Sequence, residues 1–170
     1  DIILEKIDAP KVDETESDVN LIKNADFSEG DNGLSNWEGG IMGDAVGTQT
    51  VDKGVITYEL SDVGTADWNV QLKQTGLALE NGKTYEASIT LKSTEARTVL
   101  LNFMSNTYKW YGGETIVLPK NEEVVKTITF TMNEETDTDG FFLSMGKIAD
   151  VDTPASTITV SNISLKKLAE

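Results

Sequence analysis

Two stretches of this sequence combine side chains that could do chemistry. Asn102-Phe-Met-Ser-Asn106-Thr-Tyr108-Lys-Trp110-Tyr111-Gly-Gly interleaves amides with aromatic rings. Flat aromatic faces stack on the apolar C–H faces of pyranose rings, and amides reach the ring hydroxyls, so a sugar site needs both together. In Trp68-Asn69-Val70-Gln71-Leu72-Lys73-Gln74, a strand period of two puts Trp68, Val70 and Leu72 on one face. Asn69, Gln71 and Lys73 then face the other way, as a strip reading hydroxyls would. A structural account of the same rings stays open: Trp37 and Trp68 also fit a core corner, and Trp110 and Tyr111 a Gly-rich turn beside the core.

Carboxylates are the one general acid–base device left to this chain, because it contains no His and no Cys. A Ser-His-Asp triad, thiolate catalysis and Cys- or His-based metal sites are thereby excluded. Glycoside hydrolysis needs two carboxyl groups held about 5–5.5 Å or about 6.5–9.5 Å apart in a cleft. The acidic clusters, Asp13-Glu14-Glu16-Asp18 and Glu134-Glu135-Asp137-Asp139, fall in a linker and a turn, where solvated charge is the simpler account. No alternating E-x-D-x-E string is present. Glu135-Thr-Asp137-Thr-Asp139-Gly140 copies the first half of an EF-hand loop, but the twelfth position is Gly146 and the flanks read as strands, so a β-turn is expected. The chain is expected not to be an enzyme.

The charge balance, 14 Lys+Arg against 29 Asp+Glu for a net −15 over 170 residues, argues against nucleic acid and anionic membranes as partners. No apolar run reaches the roughly 18–20 residues that span a bilayer. The chain starts at Asp1 rather than Met, as a fragment of a longer polypeptide would, so an export signal is expected upstream.

The elements expected to carry these side chains are short strands. Thr84–Lys92 alternates Tyr85, Ala87, Ile89 and Leu91 with polar residues, and Val125–Met132 alternates Ile128, Phe130 and Met132 with threonines. Further strands are expected at Gly54–Leu60, Trp68–Lys73, Thr98–Met104, Phe141–Met145 and Thr157–Leu165. Turn signals lie at Asp31-Asn32-Gly33, Gly39-Gly40, Glu80-Asn81-Gly82, Gly112-Gly113 and Thr138-Asp139-Gly140. The expected class is all-β, an antiparallel β-sandwich of jelly-roll form. Residues 8–19 are acidic and read as a linker. Asp1-Ile2-Ile3-Leu4-Glu5-Lys6-Ile7 aligns without gaps on Asn162-Ile163-Ser164-Leu165-Lys166-Lys167-Leu168. Residues 1–7 are therefore expected to be the last strand of a preceding module, with residues 20–170 forming the module proper. Chance likeness between two amphipathic strands is the alternative.

Asn20-Leu21-Ile22-Lys23-Asn24-Ala25-Asp26-Phe27-Ser28-Glu29-Gly30 followed by Trp37 resembles the opening of family 4/9/22-type carbohydrate-binding modules, to which family 16 is similar. Trp68-Asn-Val-Gln71-Leu72-Lys-Gln74-Thr-Gly76-Leu77-Ala-Leu79-Glu-Asn-Gly82-Lys-Thr84-Tyr85 resembles the group's W-x-V-Q-L-x-Q-x-G-L-x-L-x-x-G-x-x-Y pattern. The resemblance spans about Asn20 to Leu168. It implies a jelly roll whose concave sheet binds a polysaccharide chain, attached to a secreted glycoside hydrolase and itself without catalysis. β-Linked glucans or mannans are the leading ligands, with xylan or an α-glucan as further candidates. Trp68, Tyr108, Trp110 and Tyr111 are expected to stack on sugars. Asn69, Gln71, Arg97, Asn102, Asn106, Ser144 and Lys147 are expected to supply hydrogen bonds. Strand parity cannot place all of them on one face. No cofactor is required, though the group usually holds a structural calcium. Its carboxylates are lost or shifted here, leaving Glu29 and Asn162 as weak candidate oxygen donors. The module is expected to be an extracellular monomer beside neighbouring modules of its own polypeptide. The rival reading is a structural or adhesion sandwich that spaces a cell-surface protein.

Overall fold

Side chains that alternate every second residue commit this chain to strands with one face buried, and a sandwich joins two such faces. The computed structural model describes residues 19–134 and 139–169. The described residues form ten strands: β1 Glu38–Ile41, β2 Val46–Asp52, β3 Val55–Asp62, β4 Val70–Thr75, β5 Thr84–Ser93, β6 Arg97–Ser105, β7 Trp110–Leu118, β8 Val124–Thr131, β9 Asp139–Ser144 and β10 Thr157–Lys167. They form two antiparallel five-stranded sheets, β1-β4-β9-β6-β7 and β2-β3-β10-β5-β8. Only β2–β3 and β6–β7 are hairpins within a sheet; every other connection crosses between sheets. Among the described residues no helix is long and apolar enough to cross a membrane. Residues 1–7, most of the acidic linker and Glu135–Thr138 lie outside the described residues.

The inner faces meet as the alternation predicts, with Val99, Leu101 and Phe103 of β6 and Leu72 of β4 opposing Ile56, Tyr58, Ile89, Leu91, Ile158 and Val160 of the second sheet, all buried. A chain of ring contacts runs through this core. Tyr85 stacks on Phe130 at 5.9 Å, Phe130 on Phe103 at 4.8 Å, and Phe103 meets Phe141 edge-on at 5.8 Å. Phe141 then meets Trp37 at 5.7 Å, and Trp37 meets Phe27 at 5.4 Å. Such offset and edge-on pairs contribute beyond their buried area. Trp37 is therefore a core residue; its indole N–H donates to the Asn24 carbonyl at 2.8 Å.

Two glycine pairs expected to turn lie inside strands instead. Gly39 and Gly40 belong to β1, and Gly112 and Gly113 to β7. Close approach explains them: a Cβ on Gly112 would stand 2.5 Å from Cβ of Phe130, and one on Gly39 would stand 2.3 Å from the Gln71 carbonyl oxygen. Asp139 and Gly140 likewise open β9 rather than ending a turn.

Polar clasps hold the loops to this frame. Gln74 points inward, donating to the Lys23 carbonyl at 2.9 Å and accepting from the Lys23 N–H at 2.8 Å. Asp139 is fully buried, and its carboxylate accepts from the backbone N–H groups of Ala78 at 3.0 Å and Leu79 at 2.6 Å. Its loss strands buried donors. Asp139→Ala is expected to lower stability by about 3 kcal/mol, read in urea unfolding as a lower midpoint at unchanged slope. An unchanged midpoint would show that the clasp contributes nothing.

Candidate functional site

The first sheet presents its outer face as a floor whose side chains are fixed by strand register. Gly40, Gln71, Ser144, Leu100 and Thr115 form one row across β1, β4, β9, β6 and β7. Glu38, Lys73, Phe142, Asn102 and Gly113 form the next. Thr75, Gly140, Met104 and Trp110 form a third. Over this floor lies a groove of about 590 Å³, lined by Met42, Asp67, Trp68, Gln71, Lys73, Leu100, Asn102, Met104, Tyr108, Phe142 and Ser144.

Loops at two corners supply the rings. Trp68 does not continue β4; it sits in a 3₁₀ turn, Asp67–Asn69, and is 53% exposed. Asn69 wedges that turn in place. Its Oδ1 accepts from the N–H groups of Thr65 at 2.9 Å and Ala66 at 3.0 Å, and glycines at 43 and 64 make room for it. Tyr108 stands on a tight loop whose Ser105 hydroxyl accepts from the N–H groups of Thr107 and Lys109 at 3.2 and 3.0 Å. It is 73% exposed, with a positive φ of 71°. Trp110, 59% exposed, stands beside the groove and donates its indole N–H to Asn102 Oδ1 at 3.1 Å. That bond leaves the Asn102 amide N–H₂ free to donate.

Along the floor, Gln71 Nε2 donates to the Ser144 hydroxyl at 3.3 Å. Asp67 lines the same groove as Ser144. Burial pushes the Asp67 carboxyl above its usual range, and the Ser144 hydroxyl partly opposes that. Lys73 carries its ammonium 5.1 Å above the Phe142 ring, a cation–π contact in the middle row.

The structure thus brings Trp68, Gln71, Asn102, Tyr108 and Ser144 to one groove, with Trp110 at its side. It places the other five candidates elsewhere. Asn69 is 2% exposed and spent on its own turn, because the 3₁₀ geometry interrupts the assumed strand period. Arg97 has the inward parity of β6; its guanidinium donates to the carbonyls of Thr98 and Gly146, and burial lowers its pKa to about 10. Tyr111 is the extra residue where the β6–β7 register shifts, and it is buried, with its hydroxyl donating to Glu134 at 3.3 Å. Glu134 also pairs with Lys109, which holds its carboxyl below the usual range. Lys147 donates its ammonium to the Val151 carbonyl in its own loop. Asn106 is exposed on the Tyr108 loop and does not line the groove.

Sequence reasoning missed Asp67, Met42, Leu100, Met104 and Phe142, and left Lys73 out of its candidates. One signal was available: β9, Asp-Gly-Phe-Phe-Leu-Ser, is apolar at consecutive positions, as a strand covered on both faces must be.

The metal candidates do not fit a calcium cage. Asn162 sits on a bulge of β10 with φ 52° and donates to the Thr90 hydroxyl at 3.3 Å. It lines a shallow pocket with Asp26 and Lys53, whereas Glu29 is not among the lining residues. Calcium takes six to eight oxygens, mostly carboxylate and carbonyl. Here Asp26 is the one carboxylate lining the pocket and shares it with the Lys53 side chain. Among the described residues no group of three or more acidic side chains is placed to hold a metal.

Comparison with known proteins agrees with this fold. A family model described as a carbohydrate-binding domain, CBM 4/9, matches residues 19–152. A solved CBM4 structure superposes with a TM-score of 0.71 at 23% identity, covering 86% of this chain and 99% of that one. The second N-terminal cellulose-binding domain of Cellulomonas fimi β-1,4-glucanase C superposes with a TM-score of 0.65 at 21% identity, covering 91% of this chain and 97% of that one. No curated protein sequence matches. The chain belongs to the CBM 4/9 carbohydrate-binding domain family, a non-catalytic family, and is built on its two-sheet sandwich.

Proposed function

We propose that this module binds a single β-linked glucan or mannan chain in the groove on the outer face of β1-β4-β9-β6-β7 and so carries a secreted glycoside hydrolase to its substrate. The observation that carries this reading is the groove itself. Exposed Trp68 and Tyr108 rings border a floor of Gln71, Asn102 and Ser144, with Trp110 beside them. Rings offer stacking faces at low entropy cost, and Gln71 Oε1 and the Asn102 amide N–H₂ keep free positions for hydroxyls. Glucan leads because the Cellulomonas fimi relative is a cellulose-binding domain from a β-1,4-glucanase. A family 29 carbohydrate-binding module solved with cellohexaose also shares the architecture, with a TM-score of 0.51. Residues 1–7 belong, in this reading, to a preceding module, and residues 8–19 to the linker between the two. The hydrogen-bonding of Asn20 and Leu21 to β10 supports a module edge at residue 20.

Affinity is expected to be modest, since sugar hydroxyls exchange water for protein at little net gain. Titration with cello-, laminari- and manno-oligosaccharides is expected to change tryptophan fluorescence saturably. Trp68→Ala and Trp110→Ala are each expected to weaken binding about tenfold or more. No response to any polysaccharide in a broad panel would overturn the reading in favour of a spacer module. Binding and melting temperature are both expected to be unchanged by EDTA; a fall of several degrees would show a metal holding the fold.

A further inference from the structure

Asp67 brings the one carboxylate of the groove lining to its Trp68 end, and Lys73 brings the one cation. At the Trp68 end Gln71 Nε2 donates to the Ser144 hydroxyl, and the Asp67 carboxyl shares the groove lining with both. That bond uses one Gln71 N–H, while the Asp67 carboxylate and the Gln71 carbonyl keep lone pairs for a ligand. One row further along, the free groups are donors, the Lys73 ammonium over Phe142 and the Asn102 N–H₂ left by the Trp110 bond.

We propose that Asp67 is the specificity-determining residue of this groove: at the Trp68 end it accepts hydrogen bonds from the hydroxyls of an uncharged sugar ring and turns away rings bearing carboxylate or sulfate. The inference rests on the groove being the polysaccharide site. Sugar hydroxyls donate to a carboxylate in strong, charge-assisted bonds. A uronate or sulfate ester in the same place offers only acceptors and a like charge, in a half-buried setting where repulsion is little screened.

The charged and titratable groups around Asp67 leave its carboxylate to the ligand. Lys73 carries its ammonium over Phe142, one row further along the floor, and Lys147 is tied to the Val151 carbonyl. Arg97 donates to the Gly146 carbonyl, while the Gly146 N–H donates to the Asp67 carbonyl rather than its side chain. Asp44 accepts from the Thr65 hydroxyl, and Tyr108 faces the groove from the opposite lip. No ion pair of Asp67 is present among the described residues. Ionised Asp67 is the accepting form, so affinity for a neutral ligand is expected to fall as pH drops through its raised pKa.

The test is affinity electrophoresis of the whole chain, at fixed ionic strength, through gels containing hydroxyethyl cellulose or carboxymethyl cellulose, and laminarin or carboxymethyl laminarin. Wild type is expected to be retarded by the neutral member of a pair and not by its carboxymethyl form. Asp67→Asn is expected to lose about tenfold in affinity for the neutral polymer and to lose the discrimination between the two. Glu59→Gln, on the exposed face of the other sheet, removes the same charge and is expected to keep the discrimination. Equal retardation of wild type by both members of a pair, or an unchanged ratio in Asp67→Asn, would overturn the role of Asp67 while leaving the groove as the binding site. If wild type binds no neutral polymer while its melting curve shows it folded, the polysaccharide reading fails and this inference with it. A pH profile that falls toward acid in wild type and is flat in Asp67→Asn supports the same assignment independently of polymer charge. Parallel profiles contradict it.

Discussion

The register of β9 between β4 and β6 is the constraint on which the rest of the molecule depends. This central strand is covered on both faces: Phe141 and Leu143 enter the core, while Phe142 and Ser144 form the groove floor. A slip of one residue would exchange the two sets, since strand side chains alternate strictly. Both ends of β9 are fastened against it. At the start, the buried Asp139 carboxylate grips the backbone of Ala78 and Leu79. At the end, the Met145 and Gly146 N–H groups bond the carbonyls of Val70 and Asp67 at 2.7 and 2.8 Å. The same fastening that holds the core in register therefore sets Ser144 against Gln71 and Phe142 beneath Lys73.

From that floor upward the site is built by turns that oppose local strand geometry. The 3₁₀ turn at Asp67–Asn69 lifts Trp68 to the rim and buries Asn69 as the wedge beneath it. The Ser105-capped loop does the same for Tyr108 at the other lip. Neither ring is secured by burial; each is held by backbone hydrogen bonds below it. A backbone held in this way reduces the ordering cost of presenting a ring to a ligand. The net charge of −15 fits such a partner, since residues 1–19 contribute −5 of it and the remaining −10 serves solubility more than recognition.

Much of the sandwich was legible in the sequence because its pattern is local. Thr84–Lys92 and Val125–Met132 show clean alternation, and the structure has β5 and β8 there. β7 was not legible: Gly112 and Gly113 mimic a turn, and only the Phe130 side chain across the sandwich explains why a strand needs glycine at 112. Gln71, Asn102 and Ser144, singled out by parity and resemblance, are placed together in the lining of the groove. Asn69 and Arg97 were misplaced for opposite reasons. A short 3₁₀ turn broke the assumed period for Asn69, whereas Arg97 keeps the period and faces inward, a burial no local pattern foretells for a guanidinium. Asp67 was not legible as a groove residue because it shares the groove with Ser144, 77 positions away in the chain, and only the fold brings the two together.

Carbohydrate bound on the outer face of β1-β4-β9-β6-β7 would be seen in an amide-detected NMR titration of ¹⁵N-labelled protein with cellohexaose. Shifts are expected in the indole N–H signals of Trp68 and Trp110 and in the side-chain amides of Gln71 and Asn102. The buried Trp37 indole, bonded to the Asn24 carbonyl, should stay still. Shifts confined to the second sheet, or to Trp37 and its neighbours, would contradict binding on that face.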